Sequence, residues 1–425
     1  MKEEFLHYVW QFQNWRDIPL HTSSGESIQV LHAGSINSDA GPDFFNSQII
    51  IGKQRWAGNV EIHIRSSDWY AHKHHLDKRY NAVILHVVWE HDVEVFREDE
   101  TPIPVLELKD YVAKELLSTY TELNGKQTAW IACQDQIASV SKFTIDSWLE
   151  RVYIERLERK SKELIQDAEQ NKYHWEALLF SKLARSFGLK VNGEAFYQMA
   201  MSMPFQVVQK CQANPFQLEA LFMGQSGLLE KEVIDEYYKR LQEEYRFLRS
   251  KFSLNPVETP PKFFRLRPYN FPTIRLSQLA SLYHSNTTLF SEWIKGMEIV
   301  DFYSRLRVEA SDYWDSHYNF GVVSSKRSKR LSKKFIDLLL INTIVPLRFV
   351  YSKYVGEDNS EEIIEFIGQI ASENNSIINN YKKYGIEAGS ALQSQALLQL
   401  YSNYCTPKRC LSCGIGNAIL REAFI

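Results

Sequence analysis

Near residue 140 the apolar residues of this chain stop alternating and begin to recur every three or four positions. Alternation suits strands that bury one face, and three-four spacing suits helices packed through one stripe. The fold class expected is therefore an α+β N-terminal domain followed by a mainly α-helical C-terminal region. Ahead of the switch, residues 2–14 predict a helix, with Phe5, Val9 and Phe12 on one side and Leu6 and Trp10 widening the stripe. "SIQVLHAG" (27–34) alternates like a strand. "FFNSQIII" (44–51) and "WAGNVEIHI" (56–64) predict two more, joined through "GKQR" as a hairpin. "SSDWYAHKHHLDKRY" (66–80) opens with Ser/Asp capping chemistry and predicts a helix. "NAVILHVVW" (81–89) is almost continuously apolar, as a strand covered on both faces should be. The order is helix, three strands, helix, strand, with a further strand near "IPVLELKD" (103–110).

Helical patterns follow at 144–170, at 171–188 from an asparagine cap to a glycine stop, and at 231–252. "NPVETPPK" (255–262) has the composition of a linker. The expected division is 1–135 for the α/β domain, 140–255 for a helical domain, and 262–425 for a second helical domain ending in a cysteine-rich segment. A length of 425 residues fits two or three domains. The net charge of −3 gives no global sign of a polyanionic partner, so any basic surface must be local. "MKEEFLHYVWQFQNW" lacks a basic start and a small-residue cleavage site, so no signal peptide is expected. The apolar run 335–351 is interrupted by Asp337, Asn342, Pro346 and Arg348, which predicts a buried helix and no membrane span. Five cysteines without an export signal point to the reducing cytoplasm.

The chemistry-bearing residues of the first domain concentrate on the hairpin. Glu61 and His63 are two apart, so in a strand they share a face while Val60, Ile62 and Ile64 take the other. Folding about "GKQ" brings Asp43, which follows Gly41-Pro42, roughly opposite residues 62–64. A register pairing Asp43 with His63 would gather all three groups on one face. Two carboxylates that close repel unless a cation lies between them, and oxygen ligands with a spare base suit Mg²⁺ or Mn²⁺. The alternative is a solvated sheet face.

The element order αβββαβ, with Pro42-Asp43 at one strand start and Glu61-Ile62-His63 in the next, resembles the restriction-endonuclease-like core of the PD-(D/E)XK nuclease superfamily. The resemblance covers about residues 1–95. It implies that Asp43 and Glu61 hold a metal and that His63, at the lysine position, serves the attacking water. Glu3 and Glu4, on the first helix, stand where such nucleases sometimes add a ligand, although solvated surface is the plainer reading. The whole chain, through "NSDAGPDF", "GNVEIH", "SSDWYAHKHH", "YNAVILHVV" and the cysteine-rich end, also resembles an uncharacterised bacterial family of unknown function. That second resemblance carries no activity with it.

Histidines 63, 72, 74, 75, 86 and 91 fall within 29 residues, which supports zinc hydrolase chemistry as a rival. His72 and His75, three apart on the expected helix, could line one groove. His74 reads as solvated and His86 as a hydrogen-bonded core residue. Residues 251–334 hold 14 Lys and Arg against 7 Asp and Glu. Arg265, Arg267 and Arg275 interleave with aromatics, and Lys326, Arg327, Lys329 and Arg330 crowd one short stretch, as binding of DNA or RNA would require. Finally, Cys405, Cys410 and Cys413 form C-x4-C-x2-C, a spacing that can fold three thiolates about zinc or an iron–sulfur cluster. Cys133 is the best fourth ligand and Cys211 the next. The functional expectation is a metal-dependent nuclease, with a non-catalytic nucleic-acid binder or scaffold as the alternative.

Overall fold

A computed structural model describes residues 1–37, 39–125, 129–294, 296 and 298–422. The chain divides into two compact units. Unit 1 comprises residues 1–149, 375–387 and 397–425, and unit 2 comprises 150–374 and 388–396.

Unit 1 is built on a seven-stranded sheet. Its opening helix α1 (Glu3–Phe12) buries Phe5, Leu6, Val9 and Trp10 and ends where Gln13 turns left-handed (φ 52°). The strands are β1 (Leu20–His21), β2 (Ser27–His32), β3 (Ser35–Ile36), β4 (Phe44–Ile51), β5 (Gln54–Arg65), β6 (Val83–Glu90) and β7 (Val105–Glu107). They lie in the order β1-β2-β4-β5-β6-β7, with β3 beside β4. β4 is antiparallel to both of its neighbours, β2 and β5, whereas β6 joins β5, and β7 joins β6, in parallel. A mixed sheet thus precedes the many helices, as the change in period implies.

The β4–β5 connection is tighter than expected. Ile51 pairs with Gln54, so only Gly52 and Lys53 turn, and Gly52 supplies the positive φ (61°) that such a turn requires. Gly58 serves a different need: a Cβ there would lie 2.4 Å from Ile84 Cγ2 on the neighbouring strand. Between β5 and β6 the expected single helix is broken. Helix α2 (Asp68–Ala71) stops, Lys73 turns left-handed (φ 62°), and two 3₁₀ turns follow at His74–Leu76 and Lys78–Tyr80.

Unit 2 is helical apart from a small hairpin, His317–Asn319 with Val322–Val323. Phe180 packs against Phe222 and Tyr283 at its centre. The segment 255–262 is tied into this unit and does not behave as a linker. Val257 N donates to Gln225 O, while Asn192 exchanges two hydrogen bonds with the Lys262 backbone at 2.8 and 2.7 Å. The cysteine-rich end belongs to unit 1, so the three expected segments give way to these two units. The apolar run 335–351 lies in a mostly buried helix, Lys333–Val355, that relaxes into a π-turn at Leu340–Ile344 just ahead of Pro346. That wider turn accommodates a residue without an N–H.

Candidate metal centre

Strand register places the first two carboxylates. Ser47 pairs with Gly58 but Phe44 with Val60, so β4 carries one extra residue between them, and Asn46 takes a left-handed φ (57°). This bulge sets Asp43 beside Glu61, not opposite His63 as the simple fold-over predicts. The two residues are locked reciprocally. Asp43 N donates to Glu61 Oε2 at 3.1 Å, and Ile62 N donates to Asp43 Oδ2 at 2.9 Å.

Glu61 and His63 are 4% and 1% exposed, which removes the solvated-face reading. Residues 72–74 cover them. The helix break at Lys73 lets His72 and His74 both reach inward, which a continuous helix would not allow for residues two apart. His74 Nε2 lies 3.2 Å and His63 Nε2 3.5 Å from Glu61 Oε1. His63 Nε2 is also 3.1 Å from His72 Nδ1, and its Nδ1 is 2.8 Å from His86 Nε2. Donor atoms of His63, His72 and His74 all lie within 4.8 Å of one another. His74, expected to be solvated, is therefore part of the centre, while His75 instead approaches the Tyr70 ring at 5.1 Å.

α1 closes another side. His7 Nε2 is 3.3 Å from Asp43 Oδ2. Glu3, one turn earlier, is half-buried, and its carboxyl is raised by burial and then by the Asp43 charge. Glu3 and His7 are four apart on one helix face, the signal by which the sequence could have disclosed His7.

The electrostatics show a centre short of positive charge. Burial first, then Asp43, pushes the Glu61 carboxyl well above the usual range, against the Asp43 N–H bond. Burial followed by the neighbouring imidazoles, His86 foremost, drives His63 down to about 2. Burial, then His74 and His91, drives His86 down to about 3. For His7, burial alone lowers the value, but the Asp43 bond and charge, with Glu3 and Glu61, raise it overall. His74 Nε2 lies 3.2 Å from Glu61 Oε1 without completing a well-angled hydrogen bond, and His86 Nδ1, the nitrogen not used toward His63, has no hydrogen-bond partner among the described residues. Leaving such atoms unpaired costs about 1–3 kcal/mol each. Three imidazoles whose donor atoms converge beside two fixed carboxylates fit a divalent cation.

His7 also lines a cleft of about 800 Å³ in unit 1, together with Lys2, Lys408, Arg409 and Cys410. The basic residues named from sequence lie in unit 2. Arg265, Arg267, Lys326 and Arg327 are exposed, and Arg330 pairs with Glu309 at 2.6 Å. Arg275 and Lys329 are buried, contrary to a surface role. Arg275 bonds Gln278 and Asn270 above the Phe335 ring, and Lys329 donates to Asp315 O at 2.6 Å.

Fold and site together define a mixed-sheet unit carrying a histidine–carboxylate centre, with the sequence of a helical unit set within its own. Residues 3–376 match the family described as protein of unknown function DUF2851, and the chain belongs to that family. No curated protein and no solved structure matches it.

Proposed function

We propose that unit 1 is a metal-dependent phosphodiesterase acting on DNA or RNA. The observation that carries this reading is the convergence of His63, His72 and His74, with Glu61 against His63 and His74 and with Asp43 beside Glu61. The mixed sheet supports it: α1, the antiparallel pairs β2–β4 and β4–β5, and a crossover to parallel β6 are compatible with the αβββαβ order expected from the sequence. Asp43, Glu61 and the three histidines would hold the metal. Nitrogen donors in that number favour Mn²⁺ or Zn²⁺ over Mg²⁺. When bound, such an ion lowers the pKa of water and neutralises charge developing on phosphoryl oxygens.

The protein's own groups have separable tasks. The Ile62 N–H aims one Asp43 oxygen, and the Asp43 N–H aims one Glu61 oxygen, which leaves Glu61 Oε1 toward the imidazoles. His86 orients His63 through the 2.8 Å contact at Nδ1, which leaves Nε2, on the side of His72 and Glu61, as the ligand atom. His7 stands at the cleft wall beside Asp43, where it can meet a phosphate and move a proton. Lys2, Lys408 and Arg409 give that wall the charge a polyanion needs.

A zinc hydrolase is the second reading, favoured by the three imidazoles, and would share the same ligands. The test is incubation of the protein with Mn²⁺ or Zn²⁺ and end-labelled single- and double-stranded DNA and RNA. Cleavage that falls about a thousandfold in Asp43→Ala is expected. Salt-dependent binding without cleavage, or cleavage unchanged in Asp43→Ala, overturns the proposal.

A further inference from the structure

The cysteines lie outside this chemistry. Cys133 follows Trp130 in a buried turn whose geometry is set by Gln136 N and Ile137 N donating to Cys133 O at 3.0 and 2.8 Å. The Trp130 ring stacks on Tyr401 at 5.1 Å and meets the edge of Tyr381 at 4.8 Å. The Tyr381 hydroxyl lies 3.3 Å from Cys405 Sγ. Cys405 ends a π-turn, Tyr401–Cys405, after which Lys408 turns left-handed (φ 56°) and Arg409 N returns to Tyr404 O at 2.8 Å. Cys413 N then donates to Cys410 O at 3.2 Å. A Cβ on Gly416 would fall 2.2 Å from Cys410 O, so the last helix, Gly414–Glu422, packs directly on the Cys410 turn. Two stretches far apart in sequence are thus brought together through the Trp130 ring and Tyr381, whose hydroxyl meets Cys405.

We infer that Cys133, Cys405, Cys410 and Cys413 bind an iron–sulfur cluster of the four-iron type within unit 1. Four thiols on these two stretches suit either zinc or such a cluster, and the tighter grouping that zinc requires separates the two. Around one zinc, tetrahedral bonds of 2.3 Å put the sulfurs about 3.8 Å apart. Among the described residues, the group whose donor atoms come within 4.8 Å of one another is His63, His72 and His74, and no three cysteines do so. In a four-iron cluster each thiolate binds a different iron, which holds the sulfurs wider. The cluster would tie the Trp130–Cys133 turn to the C-terminal segment. Because Cys410 borders the same cleft as Lys408 and Arg409, it would also fix those two cations.

The full chain, expressed with added iron and purified without oxygen, tests this. Expected are a brown protein with broad visible absorbance, and about four iron and four acid-labile sulfide per chain. Cys133→Ser and Cys410→Ser should each lose most of the iron and colour, while Cys211→Ser, altered in unit 2, keeps both. Far-UV circular dichroism reports whether each variant folds. A colourless wild type with one zinc, a wild type without metal, or a cluster retained in folded Cys133→Ser overturns the inference.

Discussion

Glu61 in unit 1 and Glu219 in unit 2 are both nearly inaccessible, 4% and 2% exposed, yet their surroundings differ in kind. Glu219 is surrounded by donors: Trp314 Nε1 and Ser277 Oγ at 2.7 Å and Tyr237 OH at 2.9 Å. Burial raises its carboxyl, and these bonds, with one from Ser311, oppose the rise. Glu61 instead receives one backbone N–H and otherwise faces Asp43 and imidazoles driven toward their neutral form. A buried carboxylate that serves packing completes its hydrogen bonds within the protein. One that leaves charge uncompensated and ring nitrogens orphaned is arranged for something that binds.

The widest separation between the two should come from deletion. Glu219→Ala strands the Trp314 and Ser277 donors and should cost about 3–5 kcal/mol, read from urea unfolding. Glu61→Gln replaces a carboxyl that burial and Asp43 already drive toward its neutral form, so it should leave stability nearly unchanged while abolishing metal binding at the histidine centre. If Glu61→Gln unfolds the protein and Glu219→Ala does not, the contrast fails. Next in size, His86→Phe removes the partner that orients His63 and should weaken metal affinity about 10–100-fold, measured by calorimetry. No change would make His86 a packing residue only.

The smallest effect tests a half-buried cation that lies in unit 2. Burial, then Arg156 and Arg159, pushes Lys160 down to about 7 from 10.5, while its Nζ donates to Asn342 Oδ1 at 3.0 Å. A lowered folded-state value means that the unfolded chain binds more protons between those two pH values, so stability rises with pH through that window. Lys160→Met should flatten the rise and add about 1–2 kcal/mol at pH 6, discounted for partial solvent screening. An unchanged pH profile would show that the ammonium is already compensated.

How much of this was legible in the sequence varies with the range of the interaction involved. The strands and helices followed from local period, and Val83–Glu90, buried over most of its length, matches its unbroken apolar run. Asp43 and Glu61 were named from their places on a hairpin, but the register was not, because a bulge at Asn46 carries no residue signature strong enough to count. His74 was misread for a related reason. One left-handed residue, Lys73, converts an expected helix into a turn that points His72 and His74 the same way. Arg275 and Lys329 look like surface cations in a basic run, and only tertiary partners such as Gln278 and the Asp315 carbonyl reveal them as buried. The assignment of the last segments to unit 1 rests on tertiary contacts, among them those of Trp130 with Tyr381 and Tyr401 and of Arg421 with the Phe12 ring, which no local pattern encodes.

The central claim is that the histidines and carboxylates of unit 1 form one metal centre. Titration of metal-depleted protein with Mn²⁺, a hard ion that thiolates bind poorly, tests it most directly. One site per chain is expected, weakened about a hundredfold or more in His74→Ala and left intact in Cys410→Ser. No binding by wild type, or equal binding by His74→Ala, would contradict it.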